Sequence, residues 1–125
     1  MAVVHTTATR NALADLIDDR VNAGAGPGTL GFQTSGDVEV ATLTFSDPAF
    51  GAASGGVITA GAITSDTNAT GGTIAKARFK DSTGTEVLSC SVTATGGGGD
   101  IELNSVVVSA GQEVAVSSLT YAAAP

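Results

Sequence analysis

The chain has no tryptophan, one tyrosine, one cysteine and one histidine. Each scarcity closes off a class of function. With Cys90 alone, no internal disulfide can form. Cys90 lies in "VLSCSVTA" on the same alternate set as Leu88 and Val92, which reads as a buried free thiol in a strand. A zinc site needs more nitrogen or sulfur donors than His5 and Cys90 supply. A serine triad would have to use His5 as its base, and the chain lacks G-x-S-x-G. Basic residues are scarce too. Arg10, Arg20, Lys76, Arg78 and Lys80 face twelve acids, for a net charge of −7. Such a set is too small and scattered to track a phosphate backbone. An acidic surface repels nucleic acid and anionic membranes. No run approaches the ~18 apolar residues of a membrane span. "MAVVHTTATRN" has no basic start followed by a long apolar run, so no signal peptide is expected. These absences predict a soluble protein, made in a cytoplasm, that is not an enzyme and holds no cofactor or metal.

What the chain has in quantity is small residues. It is 42% hydrophobic and 14% charged, with 17 glycines, and most of its apolar residues are Ala and Val. A chain of 125 residues is most simply one domain. It can bury roughly two-thirds of its unfolded surface, enough for one core. Helical periodicity occurs only in "TRNALADLIDDRVNAG", where Ala12, Leu13, Leu16, Ile17 and Val21 recur at three- and four-residue steps. Thr9 reads as its N-cap and Gly24 as a left-handed C-cap residue. Asp15, Asp18 and Asp19 lie off the apolar stripe. The expected division is an N-terminal arm over residues 1–8, a helix over 9–23 and a β body over 24–125.

After "AGAGPG" everything reads as strand and turn. "TLGFQT" alternates around Leu30 and Phe32. "VEVATLTF" changes phase, which predicts a bulge near Ala41 and Thr42 or burial on both faces. "IAKARFKD" is the clearest alternation, with Ala75, Ala77 and Phe79 opposed to Lys76, Arg78 and Lys80. "DSTGTE" is a turn joining it to "VLSCSVTA" as a hairpin. "TGGGGD" reads as a flexible connection before "IELNSVVV" and "EVAVSSLTY". About seven or eight short strands at this spacing predict a mainly β fold. The architecture expected is one β-sandwich, jelly-roll-like, with a single short N-terminal amphipathic helix.

Several features invite sharper readings. Asp47, Asp66, Asp81 and Asp100 stand beside turn formers, where Asp bonds nearby backbone N–H groups. "SDTNATGG" is oxygen-rich but lacks the spacing of a calcium loop. "GAGPG" and "GGGG" are not followed by Lys-Ser/Thr, so they read as hinges, not phosphate cradles. Asn68 opens a glycosylation sequon, a pattern common by chance. A carbohydrate-binding module would suit the fold, but the chain has no Trp to stack on sugars and its lone Tyr121 sits almost at the C-terminus. Lys76, Arg78 and Lys80 make a basic stripe, either a solvated face or a patch for an acidic neighbour. "MAVVHTTA" is an apolar, β-prone arm that suits strand addition to an adjacent subunit. In "LTFSDPAFGAASGGVITAG", Pro48 holds Asp47 extended at a corner. Phe45 is expected in the core, and Phe50 either packs inward or anchors a partner.

The runs "RNALADLIDDRVNAGAGPGTLGF", "ATLTFSDPAFGAASGGVITAGAI" and "AGQEVAVSSLTY" resemble a group of small tailed-bacteriophage proteins. The resemblance spans Arg10 to Tyr121, and "GPGTLGF" and "LTFSDPAFG" are its most specific parts. It implies a virion structural protein with no catalytic motif to transfer. A small acidic β body with an arm suits a head decoration, or cement, protein on the outer capsid surface, assembled in the host bacterial cytoplasm. Its expected partners are the major capsid protein and itself, as a homotrimer. A tail, collar or head-fibre component is the alternative. The interface expected on these grounds comprises Val3, Val4, His5, Phe50, Lys76, Arg78 and Lys80.

Overall fold

The computed structural model describes residues 3–124. One helix, α1 (Thr7–Val21), precedes nine strands among these residues. They are β1 (Thr29–Gln33), β2 (Glu39–Thr44), β3 (Val57–Thr59), β4 (Gly72–Thr73), β5 (Lys76–Lys80), β6 (Glu86–Ala94), β7 (Ile101–Leu103), β8 (Val107–Val108) and β9 (Thr120–Ala122). The fold is mainly β, as the strand pattern requires. The helix starts two residues earlier than expected. Thr6, not Thr9, is its N-cap, with extended backbone and a hydroxyl that accepts from the Thr9 N–H at 3.2 Å. The arm is shorter accordingly, and its described part is Val3 to Thr6. Asn22 caps the other end, and Gly24 takes the left-handed φ of +94°.

A five-stranded sheet in the order β2-β1-β5-β6-β7 forms the larger layer. The phase change in "VEVATLTF" is a bulge. Phe32 pairs with Ala41 and Gln33 with Glu39, so Val40 is the extra residue. Val40 and Ala41 are both buried, which a bulge permits and a regular strand with one wet face does not. In β5, Ala77 and Phe79 point into the core while Lys76, Arg78 and Lys80 share the opposite face. Two short ribbons, β3-β9 and β4-β8, complete a sandwich-like fold. They and their flanks add Ile58, Ile74, Val108, Val114 and Leu119 to the same core as Leu30, Phe32, Leu43 and Phe79. The large pieces of this small-residue core are Phe32 and a cluster of Phe45, Phe50 and Phe79, whose ring centroids lie 5.5, 5.5 and 6.2 Å apart.

"DSTGTE" makes the β5–β6 turn. The Asp81 carboxylate accepts from the Thr83 hydroxyl (2.6 Å), the Thr83 N–H (2.9 Å) and the Thr85 N–H (3.0 Å). Chiefly through the Thr83 hydroxyl, these bonds hold the carboxyl below its ordinary 3.8. A depressed carboxylate stabilises the fold above its unfolded pKa, and that contribution fades as pH falls through the folded value. Below pH 3.8 the native protein should therefore lose an increment of urea midpoint that Asp81→Asn does not lose.

The glycine run is not the flexible connection expected. β7 lies parallel to β6, with Val92 opposite Ile101 and Ala94 opposite Leu103. Parallel neighbours ordinarily need a crossover of about a dozen residues or more. Here residues 95–100 suffice, because the chain doubles back on itself through glycine. Gly96 and Gly98 take φ of +89° and +81°. A Cβ on Gly97 would sit 2.7 Å from Thr93 Cβ and Oγ1, and one on Gly99 would sit 3.0 Å from the Thr93 nitrogen. The Gly99 N–H donates to Thr93 Oγ1 at 3.0 Å, and Asp100 accepts from both the N–H and the hydroxyl of Ser91. Gly97→Val should destabilise the protein by about 1–3 kcal/mol through overpacking, seen as a lower urea midpoint at unchanged slope.

Candidate docking surface

The helix sits on the body by a ladder of polar side chains. Asn11, Asp15, Asp18 and Asn22 recur at steps of four, three and four, hence on one face. Each accepts a backbone N–H from the segment after the Asp47–Pro48 corner. Asn11 accepts from Gly56 (2.7 Å), Asp15 from Ala53 (3.0 Å), Asp18 from Phe50 (3.0 Å) and Asn22 from Ala49 (2.8 Å). Asp18 also accepts from Asn22 Nδ2 at 2.9 Å. These amides belong to a stretch with little strand pairing, so they need side-chain acceptors once water is excluded. Arg10 adds a clamp, donating from Nη2 to the Ala123 carbonyl at 3.3 Å. Its guanidinium lies over Gly56, where a Cβ would fall 2.7 Å from Cζ.

This ladder turns the helix over relative to its sequence reading. Asp15 and Asp18 were expected off the buried face and instead face the body. Of the apolar stripe, Val21 is buried and Ile17 half-buried, but Leu13 and Leu16 are 38% and 52% exposed. Ala14, not part of the stripe, is fully buried. The physical reason is that five hydrogen bonds, some to charged carboxylates, outweigh two leucines. The signal was present as the repeat of short polar residues at 11, 15, 18 and 22, but it has meaning only beside a loop of unpaired amides.

The arm adjoins α1. Val3 and Val4 are 79% and 77% exposed, the most exposed large apolar residues among those described, and His5 is half-buried. Arm and helix together present Val3, Val4, Leu13 and Leu16 to solvent. One turn beyond Leu13, Ile17 lines a cleft of about 510 Å³ with Leu88, Cys90, Ile101 and Tyr121. Burial, then the nearby Asp100 carboxylate, push the Cys90 thiol up to about 11. It is protonated at neutral pH and is a wall of the cleft, not a nucleophile.

Other expected interface residues are placed differently. Phe50 is 3% exposed, stacked on Phe79 and tilted against Phe45, so it packs inward and is no anchor for a partner. The basic stripe is largely neutralised within the chain. Lys76 and Arg78 both pair with Asp37, at the tip of the β1–β2 hairpin, and Arg78 Nε lies 3.0 Å from Glu86 Oε1. That last contact is an ion pair whose N–H is not aligned for a hydrogen bond. Lys80 has no carboxylate within ion-pair distance among the described residues. In "SDTNATGG", the two Asp66 oxygens accept from the Thr42 and Asn68 N–H groups, a turn-holding role. Among the described residues no three His, Cys, Asp or Glu side chains are grouped to hold a metal ion. Comparison with protein-family models, curated proteins and solved structures finds no match to the chain.

Proposed function

We propose that this chain is a non-enzymatic structural protein of a tailed-phage virion, and within it a head decoration protein that binds the outside of the major capsid protein shell. The resemblance of "GPGTLGF" and "LTFSDPAFG" supplies the class. The observation that carries the reading is the outward apolar face of the helix, Leu13 and Leu16, on an acidic body. Exposed apolar groups cost nothing in a monomer's interior packing but gain on contact, at about 25 cal/mol per Å² buried. The polar ladder fixes the helix that bears the leucines, so little ordering is needed on binding. Each contact is small, and repetition over a shell multiplies it. The mechanism is adhesive: many copies bridge neighbouring capsid subunits and resist outward pressure.

Leu13→Glu combined with Leu16→Glu tests this directly. Surface positions of this kind should leave stability within about 0.5 kcal/mol, while binding to undecorated heads should fall by more than about tenfold, since one buried leucine is worth about 1.5–3 kcal/mol. Unchanged binding would remove this face from the interface. Quantitative mass spectrometry of purified particles tests the location. A copy number matching the capsid lattice supports decoration, and one matching a single ring places the protein in a collar, tail or fibre instead.

A further inference from the structure

β7 is the outer strand of the five-stranded sheet, and among the described residues no strand pairs with its far edge. The Leu103 carbonyl accepts from the Thr95 N–H, at the end of β6. Groups alternate sides along a strand, so the N–H and C=O of Glu102 face away from β6. Across from them runs the segment 115–118. It belongs to no strand, and its backbone makes no hydrogen bond to another backbone group among the described residues. Between the two lies a trough made of three adjoining hollows. The 510 Å³ cleft shares Ile101 and Leu119 with a hollow of about 200 Å³. That hollow shares Leu103, Asn104 and Ala115 with one of about 260 Å³. The floor is apolar, with Ile101, Leu103 and Val116 half-buried and Leu119 buried. Asp100, Glu102 and Glu113 lie along its lining. An exposed strand edge beside an apolar floor is a position for one more strand.

We infer that this trough receives the N-terminal arm of a second copy of the chain, added as a strand to β7. The inference deepens the virion reading and rests on it for its biological setting only. Three properties of the arm match the trough. Its backbone is already extended at Thr6 (φ −64°, ψ 158°) and belongs to no helix or strand before it. Residues 3–6, four in number, are long enough to span the open edge of β7, which is three residues. The arm has no Asp, Glu, Lys or Arg between Val3 and Thr9, so it enters an acid-lined trough without repulsion. In an extended strand Val3 and Val4 point to opposite sides, so one meets the Ile101 and Leu103 floor and the other closes the contact from outside. The arm of each chain lies outside its own trough, with both valines exposed. Exchange of arms around a closed ring buries every arm and caps every β7 edge.

The test uses the purified full-length chain. By sedimentation velocity it should be a closed oligomer, and deletion of residues 2–5, which keeps the Thr6 cap, should give a folded monomer. Glu102→Pro removes the outward N–H and should give the same loss with the arm intact. Should that variant fail to fold, Ser117→Pro on the facing segment replaces it. In a Cys90→Ser background, Val4→Cys with Ser117→Cys should form a disulfide between chains. A disulfide within one chain would mean that the trough is covered by its own arm, and a monomeric full-length chain or unaffected Glu102→Pro and Ser117→Pro oligomers would likewise overturn the exchange. These readouts need no particle. Head binding that survives while exchange fails sinks only the arm assignment, and stable exchange in a protein missing from purified particles sinks only the virion reading.

Discussion

Phe50→Ala should lower folding stability by about 3–5 kcal/mol, the usual loss for removing a buried Phe. The residue is 3% exposed, and its ring is shared between Phe45 and Phe79, so its loss leaves a cavity that small Ala and Gly neighbours cannot fill. Urea unfolding monitored by circular dichroism would show this as a much lower midpoint. The result also separates two readings of the "SDPAFG" corner. If Phe50 were a partner anchor, truncation would leave the monomer's stability unchanged and abolish attachment instead. Phe50→Leu keeps much of the volume and should recover more than half of the loss.

Asp18→Ala should cost about 1.5–3 kcal/mol, because its carboxylate accepts two hydrogen bonds and one of them satisfies the amide of buried Phe50. Asp15→Ala combined with it should exceed the sum of the single changes, since the two carboxylates hold one segment to one helix. Native-state hydrogen exchange is the sharper readout. The Phe50 and Ala53 amides should lose more protection in the double variant than the fall in global stability accounts for, while amides of the β5–β6 hairpin should lose only that amount. Asp18→Asn retains an acceptor oxygen and should restore most of the protection. If Asp18→Ala were neutral and the Phe50 amide no faster, the helix would be held by its apolar residues after all, and Leu13 and Leu16 would not be available to a partner.

The sequence by itself determined the local elements. Alternation in "IAKARFKD" fixed which face of β5 is buried, because side chains of a strand can only alternate. The phase change in "VEVATLTF" pointed to a bulge near Ala41 and Thr42 or to burial on both faces, and the bulge falls at the neighbouring Val40, while "DSTGTE" fixed a turn whose carboxylate bonds amides two and four residues away. The helix, its approximate span and the all-strand body after Gly24 follow from periodicity and breakers in the same way. What only the tertiary structure decided depends on partners distant in the chain. Which face of α1 is buried was set by amides 27 to 45 residues further on, whose need for acceptors drew Asn11, Asp15, Asp18 and Asn22 inward and left Leu13 and Leu16 outside. Two of the three cations of the basic stripe were neutralised because β1 pairs with β5 and brings the hairpin tip at Asp37 beside Lys76 and Arg78. The glycine run became a tight return because β7 had to lie parallel to β6 over a six-residue loop, residues 95–100, where any side chain on Gly97 or Gly99 meets Thr93. A hydrophobic pattern records how apolar each residue is, but not which distant backbone group will be left without water, and here that second quantity set the exposed surface.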